Sequence, residues 1–210
     1  GVPVSGQRRL TVLRPAQPIE SAAVMSFSRM VPTVLTVAVL GGGLAACGEH
    51  PPKNIGKTEG AYVETGGLQY QVQISRQLNP SDFEDRDYLV GLPAGTRLGK
   101  GEQYFAIFLR VFNREDEEAR ASRRFHMTDT TGKRYDPIAI DTRVNRVAFR
   151  PAIVGPADQL PLPGSLGREN TTQGGLILFK IPVAAYDSRP LVFHIEPPDG
   201  GEPAEVALDV

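Results

Sequence analysis

The sequence predicts an all-β fold, an antiparallel β-sandwich. Three observations support this prediction. With 22 Gly and 18 Pro among 210 residues, the composition is typical of a domain rich in turns. From Leu68 onward, short apolar segments alternate with polar turns, and no segment shows the period of an amphipathic helix. About seven such segments are present, which is the number of strands in a common β-sandwich.

The predicted strands differ in how many of their faces are apolar. Residues 68–75 alternate apolar and polar side chains, with Leu68 and Ile74 on the apolar row, so one face is expected to be buried. Residues 104–112 are apolar on both rows apart from Arg110, which predicts a central strand covered on both faces. Further strands are predicted at residues 124–128, 135–140, 174–182, 190–195 and 204–210, and residues 141–172 are predicted to be mostly loop.

The N-terminal part ends in a motif built around the only cysteine of the chain, Cys47. An apolar run from Val31 leads through three glycines to Leu44-Ala-Ala-Cys47, which resembles the lipobox of bacterial lipoproteins. This resemblance implies cleavage before Cys47 and acylation of its thiol. Two or more acyl chains hold a protein stably on a membrane. The resemblance therefore implies a lipid-anchored protein on the extracytoplasmic face of the cell membrane.

The lipobox divides the chain into four predicted parts. Residues 25–46 are predicted to be a signal peptide that starts at the true translation start, Met25, and residues 1–24 precede it. Residues 47–66 are rich in Gly, Pro and charge, which predicts a flexible tether. The sandwich is expected to cover residues 67–210.

Three alternatives to the lipobox remain open. An uncleaved membrane anchor would need about 20 apolar residues, whereas the run at residues 31–46 is shorter and contains Pro32. A twin-arginine signal at Arg8-Arg9-Leu10 would be separated from the apolar run by two prolines and an acidic residue. The third alternative is a cysteine buried in the core.

Charge and cysteine content exclude several classes of function. The net charge is −1, and removal of residues 1–46 would take away four arginines and one glutamate, leaving −4. The basic footprint of a nucleic-acid-binding protein is therefore absent, and no nucleic-acid partner is predicted. A single cysteine excludes an intramolecular disulfide. Because neither Gly-rich phosphate loop occurs, no cofactor is predicted.

Several motifs of the C-terminal part resemble DUF4352 domains. They are the alternating first strand, Val111-Phe-Asn113 at the end of the long apolar strand, the Phe125-x-Met-x-Asp-x-x-Gly-x-x-Tyr135 hairpin, and the strand Gly175–Pro182. The resemblance covers residues 67–210. It implies an immunoglobulin-like sandwich of the kind found in exported bacterial proteins, often behind a lipobox and common in actinobacteria. These motifs are structural, so they imply the fold rather than a molecular function.

The loop from Asn79 to Gly101 carries four closely spaced carboxylates, those of Asp82, Glu84, Asp85 and Asp87. Calcium prefers such oxygen ligands, but their spacing does not match an EF-hand loop and Arg86 lies among them. A solvated loop is therefore expected, with calcium as the alternative, and no metal is predicted. Ser81 followed by Glu84 predicts a capped helical turn.

The same loop is the candidate segment for binding a partner. It is much longer than a usual hairpin connection of ~2 to 5 residues. Phe83, Tyr88 and Val90 are too apolar for a solvated linker. The loop is expected to pack on the sandwich, with binding of a protein or cell-envelope partner as the alternative.

The histidines and arginines give weaker signals. His126 and His194 are predicted to face solvent from strands, and His50 lies in the predicted tether; a zinc site would need further ligands nearby. Five arginines are expected to solvate outer strand faces or, alternatively, to converge on an anionic surface such as a cell-wall polymer or phospholipid headgroups. These are Arg123, Arg124, Arg143, Arg146 and Arg150.

The expected function is that of a non-enzymatic module on the membrane, binding a protein or cell-envelope partner. An exported enzyme with a site assembled from distant residues is one alternative, and a purely structural spacer is another. An enzyme would need a deep polar pocket with convergent titratable groups.

Overall fold

The computed structural model describes residues 53–210. Cys47, His50, the predicted signal peptide at residues 25–46 and the upstream residues 1–24 lie outside this described part. Within residues 53–210, no helix has the length and apolar character needed to cross a membrane.

Short β-strands make up most of the secondary structure in the described part of the chain. The strands are β1 (Ile55–Gly56), β2 (Tyr62–Thr65), β3 (Leu68–Leu78), β4 (Glu102–Phe112), β5 (Ala119–Arg120), β6 (Arg124–Thr128), β7 (Arg134–Tyr135), β8 (Ile153–Val154), β9 (Gln159–Leu160), β10 (Gly175–Pro182), β11 (Val192–Glu196) and β12 (Ala204–Ala207). The helical segments are α1 (Phe83–Tyr88), α2 (Leu166–Glu169) and a 3-10 helix (Val183–Ser188).

The strands form two main sheets. Sheet I has the strand order β1-β12-β11-β6-β7, and sheet II has the order β10-β4-β3-β2, with β9 also paired to β4. β1 and β12 are parallel, and the other neighbours within the two sheets are antiparallel. β5 and β8 form a separate two-stranded sheet.

A first core lies between the two sheets. β4 contributes Phe105 and Ile107 to it, and β11 contributes Phe193 and Ile195; all four side chains are fully buried. The rings of Phe179 and Phe193 meet edge to face, with centroids 6.3 Å apart. This core confirms the predicted all-β sandwich.

A second core covers the opposite face of sheet II. Tyr104, Ala106 and Phe108 alternate with the first set along β4 and are also buried. They pack with Leu78, Tyr88, Val147, Leu176 and Leu178. Residues 83–98 and 138–147 supply the cover. β4 is therefore buried on both faces, as the apolar rows of residues 104–112 predict.

A bulge in β3 changes which side chains face the core. The register between β3 and β4 shifts between Val72 and Ile74. An extra residue in one strand makes the following side chains exchange faces. Ile74 is consequently 40% exposed, and its predicted place on the buried row is wrong. Ser75 is buried instead, and its amide donates to the Glu59 carboxylate at 2.9 Å.

The sandwich begins earlier in the chain than predicted. β1 and β2 both fall within the predicted tether at residues 47–66, where β1 pairs with β12 and β2 with β3. Glu59 adds hydrogen bonds from the amides of Ser75 and Asp209. The composition of residues 47–66 does not reveal these strands, because their pairing uses backbone groups and buries few side chains. A tether that starts at Cys47 can therefore contain at most residues 47–52.

The strand predicted at residues 135–140 is also shorter in the structure. β7 ends at Tyr135, and the next residue but one is Pro137, which has no amide to donate to the ladder. The chain leaves sheet I there and runs along β10, where the Ile138 amide donates to the Leu178 carbonyl at 2.7 Å. This segment closes one edge of sheet II.

Candidate functional site

The loop from Asn79 to Gly101 contains α1, which packs on sheet II. Asp82 is the N-cap residue directly before the helix, and its carboxylate accepts hydrogen bonds from the amides of Glu84 (2.9 Å) and Asp85 (3.2 Å). The predicted cap at Ser81 is therefore wrong by one residue, because a carboxylate at Asp82 already satisfies the free amides. The ring of Tyr88, at the end of α1, contacts that of Phe108 edge to face, with ring centroids 5.1 Å apart.

An ion pair holds α1 against β3. The Arg76 guanidinium lies 2.6 Å from the buried Asp85 carboxylate, which also accepts from the Asn79 amide at 2.8 Å. Burial alone would raise the pKa of Asp85, but these hydrogen bonds outweigh it and hold the pKa below its ordinary value. Arg76 also lies over the Tyr88 ring, 5.7 Å from its centroid.

Asn145 joins the α1 loop to the segment that covers sheet II beside it. Its side-chain amide donates to the carbonyls of Tyr88 (3.0 Å) and Val90 (2.9 Å). Its side-chain oxygen accepts from the amides of Val147 (3.0 Å) and Ala148 (2.8 Å). Asn145 is only 1% exposed, so these four bonds satisfy a polar group in the interior. We call this set of bonds the Asn145 clasp.

A groove of about 720 Å³ lies between α1 and residues 166–172; we call it the α1 groove. Two large apolar side chains at its walls are exposed: Phe83 by 76% and Leu166 by 43%. Across the groove, the Asn170 side chain donates to the Tyr88 hydroxyl at 2.9 Å. Its charged lining residues are Arg76, Glu84, Asp87 and Glu169.

The four carboxylates considered for a metal have separate roles. Asp82 caps α1 and Asp85 pairs with Arg76, while Glu84 and Asp87 line the α1 groove. Among residues 53–210, no group of three or more His, Cys, Asp and Glu side chains is arranged to hold a metal ion. The loop packs on sheet II through Tyr88, as expected, while Phe83 stays exposed. Binding of a partner by this loop stays a prediction.

Two histidines that are far apart in sequence lie side by side on sheet I. His126 of β6 pairs in register with His194 of β11. Their rings stack with centroids 4.4 Å apart and an angle of 3° between the ring planes. Nδ1 of His126 lies 3.2 Å from the Glu196 carboxylate, and Nδ1 of His194 lies 3.3 Å from that of Glu205. Sequence analysis predicts neither contact, because both depend on the register between distant strands.

Both imidazoles are shielded from solvent, with side chains 14% exposed. Burial lowers the pKa of His126, and the neighbouring His194 and Arg134 lower it further. Burial also lowers the pKa of His194, against the opposing effect of Glu205. Because the two rings lie in nearly parallel planes, the nitrogen lone pairs lie in separate planes and do not converge on one shared ion. His194 Nε2 bonds to the Thr128 hydroxyl at 2.8 Å instead.

The five arginines do not converge on one surface. Arg143 pairs with Asp141 at 2.9 Å, and Arg146 and Arg150 line a small cavity of about 120 Å³. Arg123 and Arg124 line a different cavity, together with Arg120. The two groups are also separate along the chain: Arg123 and Arg124 are adjacent, and the other three arginines follow in a later loop.

Comparison with known proteins supports the fold. No family model matches the chain, and no curated protein matches it. Among solved structures, the yjhA protein of Bacillus subtilis aligns with a TM-score of 0.50 at 10% identity, over 73% of this chain and 99% of that one. The candidate lipoprotein ycdA of Bacillus subtilis aligns with a TM-score of 0.44 at 9% identity, over 71% of this chain and 38% of ycdA. An uncharacterised β-sandwich protein of Clostridium difficile aligns with a TM-score of 0.38 at 12% identity, over 73% of this chain and 95% of that one.

We expect the stacked histidines to make folding stability depend on pH. Their folded pKa values lie below the ordinary value, so the unfolded chain binds protons that the folded chain does not. The free energy of unfolding should therefore fall as pH falls from about 6.5 towards about 5. Carboxylates such as Asp129, with a pKa of about 2, act only at lower pH.

Urea denaturation at a series of pH values measures this dependence. Replacing both residues, His126→Gln and His194→Gln, should flatten the decline in the same pH range, while the decline below about pH 4 stays. A decline between about pH 6.5 and 5 that persists in the double variant would assign the effect to other groups.

Proposed function

We propose that this protein is an extracytoplasmic binding module, anchored to the membrane by acylated Cys47, whose α1 groove binds an apolar, basic segment of a protein partner. The observation that carries this proposal is the exposure of Phe83 and Leu166 at opposite walls of one groove. Exposed aromatic side chains beside a concave surface are typical anchors of protein interfaces.

The charges of the α1 groove favour a basic partner. Glu84, Asp87 and Glu169 line it, and the charge of Arg76 is balanced by Asp85. The lining therefore presents an excess of negative charge around apolar anchors. Complementary charge on a partner would guide its association and select against acidic segments.

The groove is fixed before any partner binds. The Asn145 clasp, the pair of Arg76 with Asp85, and the bond between Asn170 and Tyr88 hold both walls. A surface that is already ordered loses little conformational freedom on binding, so more of the contact energy appears as affinity. Phe83 is exposed although the rest of its helix is held in place, which suits a residue that contacts another molecule.

The position at which the sandwich begins limits how far a chain anchored at Cys47 would let it stand from the bilayer. A tether of residues 47–52 reaches at most about 20 Å, since an extended chain spans roughly 3.3–3.6 Å per residue. Cys47 would therefore hold the sandwich close to the bilayer. The resemblance to DUF4352 domains behind a lipobox is consistent with this arrangement.

The enzyme alternative has one specific observation in its favour. The Thr128 hydroxyl, the His194 ring and the Glu205 carboxylate form a chain of polar contacts of 2.8 and 3.3 Å, the order of groups that activates a nucleophile. None of the three lines the α1 groove. A spacer, by contrast, gains nothing from an exposed Phe83.

Selection of random displayed peptides tests the proposed groove. Peptides that bind the wild-type protein are expected to be enriched in apolar and basic residues, and Phe83→Ser or Leu166→Ser should weaken their binding about tenfold or more. Val183→Ser is the matched control, since Val183 is 48% exposed but lies outside the groove. Selected peptides that are acidic, or that bind all variants equally, would overturn the assignment.

Replacement of the anchor residue tests the membrane half of the proposal. Cys47→Ser should move the protein out of the membrane fraction, because the acyl chains that hold it there can no longer be attached. Incorporation of labelled fatty acid should be lost in parallel, while the circular dichroism spectrum stays the same. Wild-type protein that carries no acyl group by intact mass would contradict the anchor.

A further inference from the structure

A second cavity, of about 310 Å³, lies at the end of the sandwich where β6 begins and β11 ends. Three arginines line it: Arg120 of β5, and Arg123 and Arg124 at the start of β6. The other lining residues are Glu196, Pro198 and Asp199. We call it the arginine cavity.

One of the three guanidinium groups is fixed in place. Arg124 donates through Nε to the Glu196 carboxylate at 3.0 Å and through Nη2 to the Pro197 carbonyl at 2.8 Å. Glu196 is shared further, because Nδ1 of His126 lies 3.2 Å and Nη1 of Arg134 3.8 Å from the same carboxylate. The negative charge of Glu196 is thus already balanced within the protein.

The other two guanidinium groups are available to a ligand. Arg120 and Arg123 are exposed, and neither forms an ion pair within residues 53–210. Against them the cavity offers one further carboxylate, that of Asp199. Two guanidinium groups at one concave site match the oxygen atoms of a phosphate group, which they can bind with paired hydrogen bonds.

The surroundings favour a discrete group over a broad anionic surface. Residues 115–118, directly before β5, are Glu-Asp-Glu-Glu and exposed. They repel negative charge spread over this end of the sandwich, so a lipid headgroup can be bound only through the one phosphate group that enters the cavity. A single phosphate that enters the arginine cavity avoids most of that repulsion.

The arginine cavity lies at the same end of the sandwich as residues 53 and 54, the first described residues after Cys47 in the sequence. Asn54 donates to the Pro203 carbonyl at 3.2 Å, and Thr65 donates to the Glu202 carbonyl at 2.8 Å. Gly66, after β2, lies against Pro198, which lines the cavity. The start of the described chain and the arginine cavity therefore share one end of the sandwich.

We propose that the arginine cavity binds a phosphate group through Arg120 and Arg123, with Arg124 held beside them by Glu196. The group can belong to a phospholipid headgroup of the membrane that holds Cys47, or to a soluble phosphate ester. The phospholipid source rests on the anchor proposed above, because only an acylated Cys47 holds this end near the bilayer. The phosphate chemistry is independent of the anchor.

Titration with inorganic phosphate tests the chemistry. Full-length acylated protein in a non-ionic detergent should bind phosphate saturably by calorimetry, in a background of chloride at constant ionic strength. Arg120→Gln and Arg123→Gln should each weaken binding about tenfold or more, since each removes charged hydrogen bonds. Arg97→Gln, an exposed arginine on the α1 loop, is the matched control and should change nothing. Melting temperatures without phosphate show that the variants are folded.

A second arm distinguishes the two sources. Hydrogen exchange at residues 120–125 is compared in bilayers of phosphatidylglycerol and of a phosphate-free galactolipid. Slower exchange in phosphatidylglycerol alone, lost in Arg123→Gln, assigns the lipid headgroup; equal exchange in both, slowed by added phosphate, assigns a soluble ester. A Cys47→Ser chain that still binds inorganic phosphate keeps the cavity separate from the anchor. Absence of saturable phosphate binding, or an equal loss in Arg97→Gln, overturns the proposal.

Discussion

The burial of β4 on both of its faces is the constraint on which the rest of the structure depends. A strand with apolar side chains on both rows needs two covers, since leaving either face in water forfeits roughly 1.5–3 kcal/mol for each large side chain. Sheet I supplies the cover over Phe105 and Ile107. The α1 loop and residues 138–147 supply the other, over Tyr104 and Phe108. The long connections of the sequence are therefore part of the core.

The second cover explains why the α1 groove forms on this face of sheet II. A loop must satisfy its own backbone when it packs on a sheet, and here the Asn145 clasp and the pair of Arg76 with Asp85 do so. Those contacts require Tyr88 to point inward. They place no such demand on Phe83, which remains exposed over the α1 groove. The helix α1, which stabilises the second core through Tyr88, thus also exposes the side chain of Phe83 to solvent.

The features of the fold that rest on local periodicity can be predicted from the sequence. The two apolar rows of residues 104–112 predict a doubly covered strand, and the polar turns predict the sandwich. The bulge at β3 is missed because residues 68–75 alternate without interruption, and the register shift arises only in pairing with β4. The stack of His126 on His194 and the bonds from Asn145 to the α1 loop are missed for a related reason: each joins residues more than 50 positions apart. Long-range pairing leaves no periodic signal in either partner.

Replacement of Asn145 tests the central claim most directly. Asn145→Ala should lower the free energy of unfolding by about 2 to 4 kcal/mol, because four backbone groups lose their partner, three of them in buried hydrogen bonds. Amide exchange at Val147 and Ala148 should quicken with it. Asn170→Ala removes only the part-buried bond to the Tyr88 hydroxyl and an exposed bond from the Thr171 amide, so it should cost clearly less. If Asn145→Ala is as stable as the wild type and exchange at these amides is unchanged, the second cover does not hold β4 in the way described.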